Sequence, residues 1–469
     1  MLKSIVNISI GIALILGMSS TANAKETKKP NVILIMADDM GYECLGTYGS
    51  TSYSTPNLDK LASNGMQFNN CVANPLCSPS RVKIMTGLRN YQNYEKFGYI
   101  NIKERTFANV AREAGYATCI SGKWQLNGVQ SKSASPDWND KTKPNKMGFD
   151  EHYLWQFTHG SKEGERYADP LIEANGKELE LSKDAYGPDV FSDYVLDFVE
   201  RKKDQPFFVY YPMVLVHYPF VPTPDSEDWK NPDLRYKQDT AYFKDMVTYC
   251  DKMVGRLTNK LKELGIYDNT VIMFCGDNGT MRGIDSRTNH GIVKGGKGTT
   301  TDAGTHVPLI VSWPEKIKKG QEFDGLIEFS DFYTTLADLF KKEEPKNDGV
   351  SFYPLLTGGK YKGRETAVVH YNPMWAPNVQ KFANQFVRTV DYKLYADGKF
   401  YNLKKDVLEE SPLTTESLTT KEKEVYATLK KEIETLPTWD ASIPKTNYLP
   451  ADLLKRFEEN QKTVKKGEK

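Results

Sequence analysis

Neither sign of charge is in excess: 62 basic residues stand against 61 acidic ones, and without Lys3 the two are equal in number. That balance excludes the broadly basic surface that a nucleic-acid partner calls for, though a neutral protein can still carry a local basic pocket. Long apolar runs are missing as well. Ile5 to Leu16 is mostly apolar but too short for a bilayer, and no other run reaches spanning length. Cysteine is scarce. Cys44, Cys71, Cys77, Cys119, Cys250 and Cys275 have spacings that fit neither a zinc site nor a small disulfide scaffold. Cys119 and Cys275 lie in apolar runs and read as buried thiols. There is no internal repeat.

What is present begins with a leader. Lys3, the apolar run and Ala22-Asn23-Ala24 make an export signal cleaved after Ala24. The mature chain then starts at Lys25, in the periplasm or outside the cell. No cysteine follows closely enough for a lipid anchor, so no membrane anchor is expected. The 469 residues, less this leader, exceed what one core usually supports. Two parts are expected, a catalytic domain over 25–325 and a C-terminal subdomain over 326–469.

The first part alternates strands and helices. Strands are read at Asn31–Met36, Tyr116–Ile120, Phe207–Tyr211, Thr270–Phe274 and Val307–Ser312, and helices at Pro56–Asn64, Phe107–Glu113, Val190–Arg201 and Ala241–Leu264. Continuous apolar strands between helices imply an α/β fold with a mixed, mostly parallel sheet covered on both faces. Residues 130–188 read as long surface loops. After about 325, a helix over Phe329–Leu339 precedes short alternating segments at Ala367–Tyr371, Phe386–Val390, Lys393–Tyr395 and Phe400–Leu403, which imply a small antiparallel sheet. Residues 420–435 look helical, and the charged end from Lys462 reads as disordered.

Two of the strands end in acids. Asp38-Asp39 follow the first, and Asp277-Asn278 follow the strand at 270–274. Functional groups of open α/β sheets gather at such ends. Adjacent carboxylates repel unless a cation lies between them, and an all-oxygen set suits calcium better than zinc. A solvated turn is the plainer alternative. Elsewhere, Cys77-Ser78-Pro79-Ser80-Arg81, running on to Met85-Thr86-Gly87, reads as a helix entered at Pro79 and stopped near Gly87. This sets Cys77 at a helix N-terminus, where an anion is favoured, with Arg81 one turn on to face the same anion. A buried structural cysteine beside a surface arginine is the competing reading.

The Cys-x-Pro-Ser-Arg motif followed by Thr-Gly resembles the signature of the type I sulfatases, of the alkaline phosphatase superfamily. The companion motifs fall in the family's order over roughly residues 30–410. The resemblance implies an alkaline-phosphatase-like fold with a smaller C-terminal α+β subdomain. It also implies conversion of Cys77 by a maturating enzyme to formylglycine (3-oxoalanine), whose hydrate is the nucleophile. One calcium ion would be held by Asp38, Asp39, Asp277 and Asn278, with the modified Cys77 completing the shell. Lys123 in Gly122-Lys123-Trp124 and Lys297 in Gly295-Gly296-Lys297-Gly298-Thr299 match sulfate-contacting lysines, and His217 in Val216-His217-Tyr218 matches the leaving-group histidine. The glycines around Lys297 do not have P-loop spacing.

One position departs from the family pattern. A histidine is usual two residues after the first lysine, and here it is Gln125, which cannot take a proton near neutral pH. Of the six histidines, His152 and His159 lie in the loop region, His370 lies in the C-terminal part and His217 is already assigned. His306 directly precedes a strand. His290, in a glycine-rich stretch between Asp277 and Lys297, is therefore the candidate for the missing proton transfer, with metal-bound hydroxide as the alternative and Gln125 orienting the nucleophile. The expected activity is removal of sulfate from a sulfated carbohydrate, which export and long loops favour over a small aryl ester. The alternatives are a phosphonate or phosphate ester hydrolase on the same fold, or a non-catalytic binder of sulfated glycans.

Overall fold

The computed structural model describes residues 28–160 and 163–445. The expected leader, its cleavage after Ala24 and the charged end from Lys462 lie outside the described residues. In chain order the strands are β1 (Asn31–Ala37), β2 (Met66–Val72), β3 (Ala117–Lys123), β4 (Glu151–Trp155), β5 (Ile172–Ala174), β6 (Lys177–Glu178), β7 (Phe207–Pro212), β8 (Thr270–Gly276), β9 (Asp285–Thr288), β10 (Gly291–Lys294), β11 (His306–Ser312), β12 (Gln321–Glu328), β13 (Ala367–Tyr371), β14 (Asn384–Arg388), β15 (Tyr392–Tyr395) and β16 (Phe400–Asn402). The longer helices are α1 (Pro56–Ser63), α2 (Cys77–Thr86), α3 (Phe107–Glu113), α4 (Gly187–Lys202), α5 (Tyr242–Glu263), α6 (Ser330–Leu339) and α7 (Thr420–Glu434).

Ten strands make one mixed sheet in the order β12-β2-β11-β8-β1-β7-β3-β4-β5-β6. The run β8-β1-β7-β3-β4 is parallel throughout. β1 shows why its sequence is apolar without alternation. Val32, Leu34 and Met36 enter the core beneath α2, α3 and α6, while Ile33, Ile35 and Ala37 enter the core beneath α1, α4 and α5. A strand buried on both faces has no solvent side on which to place polar residues. β11, by contrast, runs antiparallel to both β8 and β2.

The four-stranded antiparallel sheet β13-β14-β15-β16 forms the C-terminal part, with α7 packed against it. The expected boundary at 325/326 falls inside β12, which pairs with β2 and completes the central sheet. The charged, half-exposed start of β12 hides this pairing from a reading based on hydropathy. The stretch 130–188 is likewise more than loops. It holds β4, buried at His152, Leu154 and Trp155, and the short β5 and β6 at the sheet edge. Among the described residues no helix is long and apolar enough to cross a membrane.

Candidate active site at the strand ends

β1 and β8 run side by side and end together, with Ala37 opposite Gly276. The pairing continues past them: Asp277 N–H donates to Ala37 O at 2.9 Å, and Asp39 N–H to Asp277 Oδ1 at 2.9 Å. On the other side, Asp38 N–H donates to Leu215 O (2.8 Å) and Val216 N–H to Asp38 O (2.7 Å), which binds the segment after β7 to the same edge. Asp39 sits at φ 60°, a left-handed conformation that few non-glycine residues adopt. Asp38, Asp39 and Asp277 are all at most 1% exposed.

Lys123, the last residue of β3, bonds both Asp38 oxygens at 2.8 and 2.7 Å. Its approach depends on Gly122. At φ 129°, a Cβ there would sit 2.0 Å from Pro212 O. Lys297 bonds Asp39 Oδ2 at 2.5 Å from the far side. His217 faces the same oxygen through Nε2 at 3.7 Å. Its Nδ1 lies 2.5 Å from Tyr218 O, which requires the hydrogen on Nδ1 and leaves Nε2 of the neutral ring able to accept a proton.

The charges of the cluster act on one another. Burial opposes ionisation of Asp38, but Lys123, Lys297 and Arg166 outweigh it and hold the carboxyl below its ordinary value. Burial raises Asp39 despite Lys297. Asp277 is raised well above the usual carboxylate range, first by burial and then by Asp38. The imidazole of His217 is pushed well below its ordinary value by burial and by Lys297, Arg166 and Lys123.

Cys77 opens α2, two residues before Pro79, and all ten residues of that helix are buried. Gly87 closes it at φ 70°. Ligand atoms of Asp38, Cys77 and Asp277 lie within 4.8 Å of one another, as do those of Asp38, Asp39 and His217. The Arg81 guanidinium is held against the turn after β3. Its Nη1 donates to the carbonyls of Lys123 (3.2 Å) and Trp124, and its Nη2 to Gln125 Oε1 at 3.4 Å. The guanidinium thus ties α2 to the turn after β3 and positions Cys77 against Lys123. Gln125, at φ 45°, sets its Oε1 3.8 Å from Cys77 Sγ.

The donor set fits a hard divalent cation. Three buried carboxylates converge with the Asn278 amide. Asn278 Nδ2 donates to Asp39 Oδ1 and Gly279 O, both at 2.9 Å, which leaves a buried Oδ1 with no hydrogen-bond partner among the described residues. Oxygen donors in this number suit calcium.

His290 is not brought to the cluster. It lies exposed at the turn between β9 and β10, where its N–H donates to Thr288 Oγ1 at 3.1 Å. A glycine-rich stretch in the sequence is here a hairpin tip, so closeness along the chain to Lys297 does not become closeness in space. Arg166, 3.5 Å from Asp38 Oδ2, belongs to no motif. It lies in the stretch read as surface loops, and nothing in its sequence neighbourhood points to the site.

The sulfatase family model matches residues 30–342, and a model of the C-terminal region of N-sulphoglucosamine sulphohydrolase matches residues 296–438. An N-acetylgalactosamine-6-O-sulfatase of Bacteroides thetaiotaomicron is 29% identical, over 76% of this chain and 83% of its own. The human N-acetylgalactosamine-6-sulfatase is 30% identical, over 71% of this chain and 67% of its own. A solved sulfatase structure from work on glycosaminoglycan metabolism by B. thetaiotaomicron superposes with a TM-score of 0.70 at 23% identity, covering 87% of this chain and 99% of that one. The chain belongs to the sulfatase family.

Proposed function

We propose that this sulfatase hydrolyses a sulfate ester of a carbohydrate, with Cys77 oxidised to formylglycine as the nucleophile. The observation that carries the reading is the convergence of Cys77, two lysines and a histidine on three buried carboxylates. The relatives' sulfated amino sugars support a sulfated carbohydrate as substrate. Export to the periplasm or beyond fits that substrate. Because α2 is buried, a maturating enzyme would reach Cys77 only before this helix packs.

Asp38, Asp39, Asp277 and Asn278 would hold calcium, which when bound supplies divalent charge against the sulfate oxygens. Lys123 and Lys297 face the same oxygens and offset the charge that develops on them. In the first step one hydroxyl of the Cys77-derived hydrate bonds to sulfur and the ester S–O bond breaks. The proton that leaves the attacking hydroxyl is taken by the unprotonated Nε2 of His217 and passed to the departing alcohol. In the second step the remaining hydroxyl loses its proton as the C=O bond re-forms and sulfate leaves, and water then restores the hydrate. Among the described histidines His217 alone contacts the cluster, so the proton of the second step is assigned to it as well. Gln125 accepts hydrogen bonds from Arg81 and from the group at position 77 and holds both.

The test is sulfate release from a panel of sulfated oligosaccharides, with intact mass reporting formylglycine at position 77. Cys77→Ala abolishes release. Full activity of Cys77→Ala ends the reading.

A further inference from the structure

Arg166 lies between β4 and β5, on the leaving-group side of the cluster. The next residue, Tyr167, donates its hydroxyl to Val214 O at 2.8 Å and to His217 O at 2.5 Å. The Arg166 side chain is 9% exposed, and its guanidinium lies 4.0 Å from the centre of the Trp155 ring at the end of β4. Nη1 is buried without a hydrogen-bond acceptor among the described residues. Its 3.5 Å approach to Asp38 Oδ2 is long, and both Asp38 oxygens are already bonded by Lys123. Two other deeply buried arginines differ. Arg364 donates to Asp331 and to Asp348 O, and Arg388 to Asp302 and to Val390 O. A buried guanidinium nitrogen without an acceptor costs stability unless a ligand supplies one.

We propose that Arg166 binds a second anionic group of the substrate, a sulfate or a carboxylate on the sugar that bears the scissile ester or on its neighbour. This rests on the sulfatase reading above. The position argues for a second group rather than the ester itself. Lys297 reaches Asp39 from the loop after β10 and Lys123 reaches Asp38 from β3, so these two bracket the ester sulfate. Arg166 lies in the loop after β4, resting on Trp155 beyond Lys123, and its neighbour Tyr167 bonds the backbone of the leaving-group histidine. Its planar fork suits two oxygens of one anion, and the Trp155 face fixes the plane of that fork.

The test uses a non-turnover background, Cys77→Ser, with calcium present. Calorimetry compares three ligands: a monosulfated hexosamine, the same hexosamine with a second sulfate, and a disaccharide joining it to a uronate. The background binds one or both doubly anionic ligands more tightly than the monosulfate, and which one identifies the group. Adding Arg166→Ala lowers that preference by about tenfold or more, the scale of a charge-assisted hydrogen bond. Arg166→Lys, which keeps the charge but not the fork, retains part of the preference and serves if the alanine variant does not fold. Equal weakening of all three ligands would mean that Arg166 only supports Asp38, and no preference in the background would likewise overturn the proposal. If the mature enzyme releases sulfate from no sugar, the functional reading fails separately, and the binding preference still judges Arg166.

Discussion

Two groups of buried charge in this protein are satisfied to different degrees. Beneath α2, Glu328 and Asp331 meet Lys83 and Arg364. Glu328 Oε2 takes Lys83 Nζ (3.3 Å) and Val368 N–H (2.8 Å), while Oε1 takes Ser330 Oγ (2.6 Å) and Arg364 Nη1 (3.2 Å). Asp331 accepts from Val350 N–H (2.7 Å), Glu328 N–H (2.9 Å) and Arg364. Every carboxylate oxygen there has a partner. At the strand ends the inventory is similar but unfinished. Among the described residues Asp277 has no ion pair, Asn278 Oδ1 has no donor and Arg166 Nη1 has no acceptor. A saturated network fixes the fold, whereas an unsaturated one keeps its valence for a ligand.

That contrast breaks first under Glu328→Ala. The change leaves Lys83 and Arg364 buried without their shared carboxylate, a loss of about 3–5 kcal/mol. Denaturant unfolding reads it, and sulfate release per folded molecule changes far less. A loss below about 1 kcal/mol, on the scale of an exposed ion pair, would place the network with surface salt bridges.

Asp277→Asn should do the reverse. Turnover falls by about 10²–10³-fold, the scale for removing one electrostatic contributor. In chelator the variant melts no lower than the parent, because the lost carboxylate was disfavoured by burial and by Asp38. The parent gains stability on adding calcium, about 2.7 kcal/mol at a hundredfold excess over its dissociation constant, and the variant does not. A variant that melts well below the parent in chelator would mean that Asp277 is structural.

Acid separates the two regions more gently. Burial alone would raise the Glu328 carboxyl, but Arg364 and Lys83 outweigh it and hold it at about 2. A depressed carboxyl contributes stability that is complete above its ordinary value of 4.5 and is lost as the pH falls from there toward 2. Stability of the chelated protein should decline over that window, and Glu328→Gln should flatten the decline. An unchanged slope would show that other carboxylates carry it.

The strand-end half of this contrast was legible in the sequence, and the part that was not follows a physical pattern. The apolar strands at 31–37 and 270–276 announce themselves because burial on both faces removes every polar position, and their terminal acids follow at once. Pro79 and Gly87 frame α2 through backbone restriction, although the helix starts two residues earlier than proline alone indicates. Pairing partners are a different matter. β2 and β12 are interrupted by polar residues, and only tertiary contact makes them strands of the central sheet. Arg166 is read only in space, because its importance lies in what surrounds it: Trp155 below, Asp38 ahead and, among the described residues, no acceptor for Nη1. His290 is the converse, a residue that looks close in sequence and is carried away by a hairpin.

Two small effects set against a large one test this last point. Gln125 touches the group at position 77 and Arg81, so Gln125→Ala removes hydrogen bonds worth about 1 kcal/mol and slows turnover by about fivefold. Single-turnover mass spectrometry should show no build-up of sulfated enzyme, because an amide never carried the proton. His290 bonds only its own hairpin through Thr288, and His290→Ala should leave turnover within about twofold, the scale of a surface change of a few tenths of a kcal/mol. The proton work then falls to His217, and His217→Ala should cost about 10²–10⁴-fold, as loss of a general acid–base does. If His290→Ala instead accumulates the sulfated adduct while His217→Ala releases it normally, the hairpin closes over the site during catalysis and the second step belongs to its tip.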